Sequence, residues 1–254
     1  MKSFASLAAA TLLLFGLSGP VNAQAQITLL SPNPIKETID TLVAKFEAKT
    51  GAKVKVTYGS GVGTRKTVAE GGAQDVTLLF APFDDALKTG NVQKNSATVV
   101  ARLRLAIAVK KGAPKPDIST AAAVKRTLIN AKSIISVDPA QGSVGGATLL
   151  ALDKMGITDQ IKPKIKWVPG GGEVQTSVAK GETELALGPY LSDMRNPGLD
   201  IVGALPPDAA TPVDITGFLS TSVKDAKTAR ALLDYLKSAE AAPVWQEAKA
   251  FPAR

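Results

Sequence analysis

Apolar positions along the chain follow two alternating rhythms. Ile27 to Leu30 is a short apolar run with a β-branched member and predicts a first strand. Pro32 and Pro34 then interrupt regular structure. Ile35, Ile39, Leu42, Val43 and Phe46 recur at helical spacing and predict one buried stripe. Asn33 is the expected N-cap of that helix, Pro34 its first residue and Thr50-Gly51 its stop. Lys53 to Tyr58 alternates polar and apolar residues, the pattern of a strand with one wet face. After the turn Gly59-Ser60-Gly61-Val62-Gly63-Thr64, a short helix is expected through Val68 and Ala69, ended by Gly71-Gly72. Val76 to Phe80 predicts a buried strand, Asp84 to Lys88 a short helix, and Leu103 to Val109 a further apolar strand.

The second half has the same alternation. A Pro-rich connection from Lys111 to Ser119 precedes a helix over Ala121 to Ile129 and a strand over Ile134 to Val137. Asp138 to Gly146 is predicted as a loop of small residues, followed by a helix from Ala147 to Met155. A strand over Ile165 to Val168, a helix over Glu173 to Lys180 and a strand over Leu185 to Leu187 follow. Ile215 to Leu219 is a late strand. Ala229, Leu232, Leu233 and Leu236 share one face of a helix over Ala226 to Ser238, and a short helix near Trp245 closes the chain. Strands alternating with helices predict parallel sheets covered by helices, an α/β fold in two units.

Composition narrows the chemistry. The chain has no Cys and no His, so it has no disulfide framework, no Cys or His zinc site, no iron–sulfur cluster and no Ser-His-Asp triad. No metal site and no cofactor is expected. An enzyme would have to use carboxylates or a Lys, and no paired-carboxylate spacing stands out. The formal charge of +8 comes from Lys and Arg scattered along the chain without interleaved aromatics. That pattern argues against nucleic acid and fits either an acidic solute or a solvated basic surface. Lys2, the uncharged run from Phe4 to Leu17, the Gly19-Pro20 break and the small residues around Ala23 form the three-part pattern of a secretory signal peptide, residues 1–23. The run is short for a membrane span, which needs about 20 apolar residues.

Five β-to-α junctions carry small or turn-forming residues: Ser31 to Pro34, Gly59 to Thr64, Asp138 to Gly146, Gly170 to Glu173 and Gly188 to Ser192. Any one of them is an ordinary turn. Several facing one cleft would make an anion site, because helix starts present free N–H groups and the positive dipole end. The Gly59 to Thr64 loop matches neither the Walker nor the dinucleotide spacing. Arg65 lies beside this loop and could grip a carboxylate in a bidentate way, or be a solvated helix residue. Tyr190 offers a hydroxyl donor, or is a buried ring with its hydroxyl paired. Asp75 reads as a turn or capping residue.

Several segments, taken in order, resemble a known family. They are Ile27-Thr28-Leu29-Leu30, the helix end Phe46-Glu47-Ala48-Lys49-Thr50-Gly51, Val54 to Gly61, Gly71-Gly72-Ala73-Gln74-Asp75-Val76, Val137-Asp138-Pro139, the stretch from Gly181 to Asp193, and Asp234-Tyr235-Leu236. Together they are similar to the periplasmic solute-binding proteins of ABC importers, in the molybdate-binding branch. The resemblance implies a two-lobed type II fold with two crossover strands and the ligand in the cleft. It places the first lobe at residues 24–102 and 210–254 and the second at 103–209, hinged near Leu103 to Val109 and Ile215 to Leu219. It implies a small anionic ligand, a membrane permease as partner, a monomer, and a periplasmic location. Ser60 falls at the serine position of the second loop, with Gly61 beside it. Val144 and Val174 fall at backbone-donor positions, and Tyr190 at the tyrosine. The first loop departs, with Pro34 where a serine is expected and Asn33 offering its amide instead. That departure, with Arg65 nearby, points to an organic carboxylate. Molybdate or tungstate is the alternative within the family, and a secreted enzyme or a scaffold protein the alternatives outside it.

Overall fold

The computed structural model describes residues 26–72, 74–191 and 196–253. The expected signal peptide, Ala73, Ser192 and Asp193 lie outside these residues. Two sheets organise the rest. In the first lobe, β1 (Gln26–Pro32), β2 (Lys53–Gly59) and β3 (Val76–Phe80) run parallel, with β1 in the middle. Beside β3 lies β10 (Val213–Leu219), antiparallel to it, then β4 (Thr98–Leu103) and β11 (Phe251–Pro252). In the second lobe, β6 (Ile134–Val137), β7 (Ile165–Val168) and β8 (Leu185–Pro189) are parallel, with β6 in the middle. Beside β8 lies β5 (Leu105–Lys110), antiparallel, and then β9 (Leu199–Ala204). Each sheet therefore repeats one plan: three parallel strands, then an antiparallel strand that has just arrived from the other lobe.

Helices cover the parallel strands because each carries an apolar face. On α1 (Lys36–Thr50), Ile39, Leu42, Val43 and Phe46 are buried as their spacing predicts. Burying each such side chain favours folding by about 1.5–3 kcal/mol. Gly51 ends the helix at φ 74°, a left-handed conformation that costs glycine nothing. On α8 (Ala226–Leu236), the stripe Ala229, Leu232, Leu233 and Leu236 is fully buried. Trp245 on the short α9 (Ala242–Glu247) is buried and donates its indole N–H to the Leu236 carbonyl at 2.8 Å.

Four details differ from the sequence pattern. Asn33 does not cap α1: it opens a 3₁₀ turn, Asn33–Ile35, and α1 starts at Lys36. Pro34 lacks an N–H, which suits the first turn of a tighter helix. The strand expected over Leu103 to Val109 is β5, which starts at Leu105; Leu103 instead ends β4, a strand the pattern does not predict, and Arg104 separates the two in different lobes. The second crossing is the segment 205–212, ahead of β10 rather than within it. The helices expected to start at Ala147 and Glu173 begin earlier, as α5 (Ser143–Lys154) and α7 (Gly171–Lys180), so glycines read as loop form their first turns.

Candidate functional site

The carboxyl ends of all six parallel strands meet at one cavity of about 350 Å³ between the lobes. Asn33 and Pro34 follow β1, Ser60 and Gly61 follow β2, and Phe80 ends β3. From the second lobe come Val137 at the end of β6, Pro169 and Gly170 after β7, and Gly188 and Pro189 at the end of β8. This is the place where open parallel sheets hold ligands.

Three helices start there. On α2 (Gly61–Ala69), the N-cap Ser60 accepts the Gly63 N–H with its side chain at 2.9 Å. The α5 start has Gly142 as its N-cap and α7 has Gly170, and neither cap supplies a side-chain acceptor. The first N–H groups of these helices, among them those of Ser143, Val144, Gly171 and Gly172, therefore face the cavity side with helix dipoles behind them. The α5 start is held rigidly. The Asp138 N–H donates to the Val168 carbonyl at 2.7 Å, and the Gly142 N–H donates to the Asp138 carbonyl at 2.9 Å. Gly145 packs so tightly on the end of β6 that a Cβ there would lie 2.1 Å from the Val137 carbonyl oxygen. No described residue lining the cavity has an ionisable side chain. Its field comes from backbone N–H groups, hydroxyls and the amides of Asn33, Gln141 and Gln175.

Of the residues singled out from sequence, Asn33, Ser60, Gly61, Val144 and Val174 line the cavity. Arg65 does not. Its guanidinium donates to the Pro82 carbonyl, and its Nε lies 3.9 Å from an Asp85 carboxylate oxygen. Four places after Gly61, Arg65 lies a full turn further along α2, about 6 Å beyond the helix start, and its side chain reaches Pro82 and α3 (Asp84–Lys88) instead of the cavity. Tyr190 is not among the lining residues either. Its backbone N–H donates to the Arg104 carbonyl at 2.7 Å, which ties it to the first crossing, while Pro189 and Leu191 on either side line the cavity. Asp75 is the structural residue expected: its carboxylate accepts the Thr28 N–H at 2.9 Å and the Thr28 hydroxyl at 2.8 Å.

The sequence pattern of bacterial extracellular solute-binding proteins matches residues 27–248. The chain belongs to this family. Among its relatives, an aconitate isomerase from a Pseudomonas species is 31% identical over 223 residues, 85% of this chain and 84% of that one. The molybdate-binding protein ModA of Azotobacter vinelandii is 28% identical over 211 residues, 80% of this chain and 81% of that one. Among solved structures, the sulfate-binding protein SubI of Mycobacterium tuberculosis superposes with a TM-score of 0.74 at 16% identity, over 91% of this chain and 88% of that one. The fold is thus the two-lobed type II arrangement of solute-binding proteins. Within it, Ser143, Gln141 and Gln175 are cavity residues that sequence reasoning did not single out. The signal available for Ser143 was its place directly after Gly142, at a helix start hidden by Gly145-Gly146.

Proposed function

We propose that this solute-binding protein captures a small organic acid with more than one carboxylate, using helix-start dipoles and neutral polar groups, no described residue of the cavity lining being charged. The convergence of three helix starts on a cavity of about 350 Å³ carries this reading. At about 350 Å³ the open cleft has room for a six-carbon tricarboxylate before the lobes close on it. The relative named as an aconitate isomerase supports the same ligand class. The protein would work in the periplasm as a monomer, after loss of residues 1–23, and hand its ligand to a membrane permease. Its lobes would be residues 24–102 with 210–254 and residues 103–209, closing about Arg104 and the segment 205–212.

Isothermal titration calorimetry with citrate, tricarballylate, cis- and trans-aconitate, malate and molybdate tests the reading. Micromolar or tighter binding of a di- or tricarboxylate, with weaker molybdate binding, is the expected result. Tight molybdate binding with no carboxylate binding would replace it with the oxyanion reading that the relative ModA suggests. Proton NMR of cis-aconitate incubated with the protein tests the isomerase reading. Steady conversion to the trans isomer would make the protein an enzyme.

A further inference from the structure

We infer that Ser143 supplies the side-chain hydroxyl that selects the ligand's carboxylate, in place of the Ser60 hydroxyl that the family resemblance points to. The inference rests on the carboxylate reading above. Ser143 is 3% exposed, lines the cavity, and its Oγ has no hydrogen-bond partner among the described residues. Buried hydroxyls are normally paired, and the other fully buried ones of this lobe are. Ser136 pairs with Thr148 at 3.2 Å, and Ser177 with Thr183 at 2.8 Å. The Ser143 hydroxyl instead stands beside the N–H groups of Ser143 and Val144 at the uncapped start of the 12-residue α5. That set of neutral donors suits one carboxylate oxygen pair.

The opposite lobe is shaped around this hydroxyl. A Cβ placed on Gly61 would lie 3.1 Å from the Ser143 Oγ, a tight contact that glycine avoids, so the α2 start approaches this hydroxyl closely. Ser60 is differently placed. It is exposed, and its Oγ already accepts the Gly63 N–H, so its first duty is to cap α2. Ser143 carries no such structural duty and is held in a rigid loop, as a recognition group should be.

The test compares Ser143→Ala, Ser143→Cys and Ser60→Ala with wild type. Affinity is read by calorimetry with the best-binding carboxylate of the panel, and thermal stability without ligand is read alongside. Ser143→Ala and the near-isosteric Ser143→Cys should each weaken binding tenfold or more, while the unliganded melting temperature stays level or rises. Ser60→Ala should cost less affinity and lower the melting temperature through loss of the cap. Affinity within threefold of wild type in both Ser143 variants would overturn the inference and leave the carboxylate reading intact. A loss of affinity in step with a fall of several degrees in the unliganded melting temperature would also overturn it, by showing a structural role. A wild type that binds no carboxylate of the panel would overturn the carboxylate reading and this inference with it.

Discussion

The amino end of the first-lobe sheet and the carboxyl end of the second-lobe sheet treat polar groups in opposite ways. At the amino ends of β1 and β3, Asp75 is used to the full. Its carboxylate takes the Thr28 N–H, the Thr28 hydroxyl and the Lys224 N–H at 3.2 Å, its own N–H donates to the Thr28 Oγ1 at 3.0 Å, and its carbonyl takes the Ser220 N–H at 3.1 Å. At the carboxyl ends of β6 and β7, facing the first lobe, the starts of α5 and α7 have no side-chain cap and the Ser143 hydroxyl has no partner among the described residues. Both ends are turns rich in small polar residues, so composition does not separate them. Pairing does. Around Asp75 the paired groups hold the sheet, whereas the Ser143 hydroxyl is left unpaired against the cavity at a cost to stability; the buried hydroxyls of Ser31 and Thr77 are also unpaired but do not line it.

The comparison breaks most visibly at Asp75. Asp75→Ala strands two backbone N–H groups and a hydroxyl, and should lower stability by about 2–4 kcal/mol, since hydrogen bonds to a charged group are worth about 1.5–3 kcal/mol each and do not add fully. For a protein of this size that is a fall of roughly 5–15 °C in melting temperature. Ligand affinity measured on the folded fraction should stay within twofold. A scanning calorimeter and a titration calorimeter decide it together, and a tenfold affinity loss would make the amino end part of the site.

Gly61 sharpens the other side. A methyl group there meets the Ser143 Oγ at 3.1 Å, a tight contact, and the Phe80 Cδ2 at 3.4 Å, an ordinary one. The Ser143 hydroxyl would have to shift by a few tenths of an ångström, which disturbs the group proposed to hold the ligand. Gly61→Ala should weaken binding about three- to tenfold, or about 0.7–1.4 kcal/mol. In a Ser143→Ala background the closest contact is removed and the added loss should shrink. A double-mutant cycle measures that coupling. Simple additivity would mean that the two residues do not meet in the bound state.

Much of the fold was legible because its signals are local. The α1 stripe, the Val76–Phe80 strand and the stripe on α8 follow from spacing alone. The failures share a cause. Gly145-Gly146 and Gly171-Gly172 were read as loop because glycine weakens helices. Here they form first turns, and at Gly145 the reason is long-range: the end of β6 leaves no room for a Cβ. With the start of α5 hidden, Ser143 was hidden too. β4 is missed and Leu103 is joined to β5, because nothing local in Leu103-Arg104-Leu105 shows that the strands on either side pair in different sheets. Arg65 was misplaced by proximity in sequence: four residues into a helix is a full turn away from its N-terminus.

A smaller effect comes from pH. Burial raises the Asp75 pKa, but the Thr28 hydroxyl, the Thr28 N–H and the Lys224 N–H outweigh it and hold the carboxyl below its usual value. A carboxyl depressed in the folded state contributes stability that is present above its unfolded pKa and is lost as the pH falls through the folded one. Wild type should therefore lose melting temperature from about pH 5 downward. Asp75→Asn should be less stable at neutral pH and should lose less on acidification, because its amide does not titrate. Parallel pH curves for the two proteins would show that other carboxylates, such as Asp225 and Asp117, which are also held low by backbone N–H bonds, carry the acid response.

Little effect on binding is expected at Arg65, for which the sequence leaves open a bidentate carboxylate contact or a solvated helix position. Its guanidinium is committed to the Pro82 carbonyl, and its side chain is 13% exposed. The Asp85 partner is mostly exposed and contributes little. Arg65→Ala removes one hydrogen bond and the packing of a long stem, so stability should fall by about 1 kcal/mol. Affinity for a carboxylate should change less than twofold, because the donors of the cleft belong to helix starts that Arg65 does not touch. Titration of wild type and Arg65→Ala with citrate and with molybdate measures both preferences. If the variant lost tenfold for citrate and nothing for molybdate, the guanidinium would have to swing into the cleft when ligand arrives. A cleft recruiting a charged side chain would no longer be one built from unpaired dipoles, and the contrast between the two sheets' ends would fail at its working end.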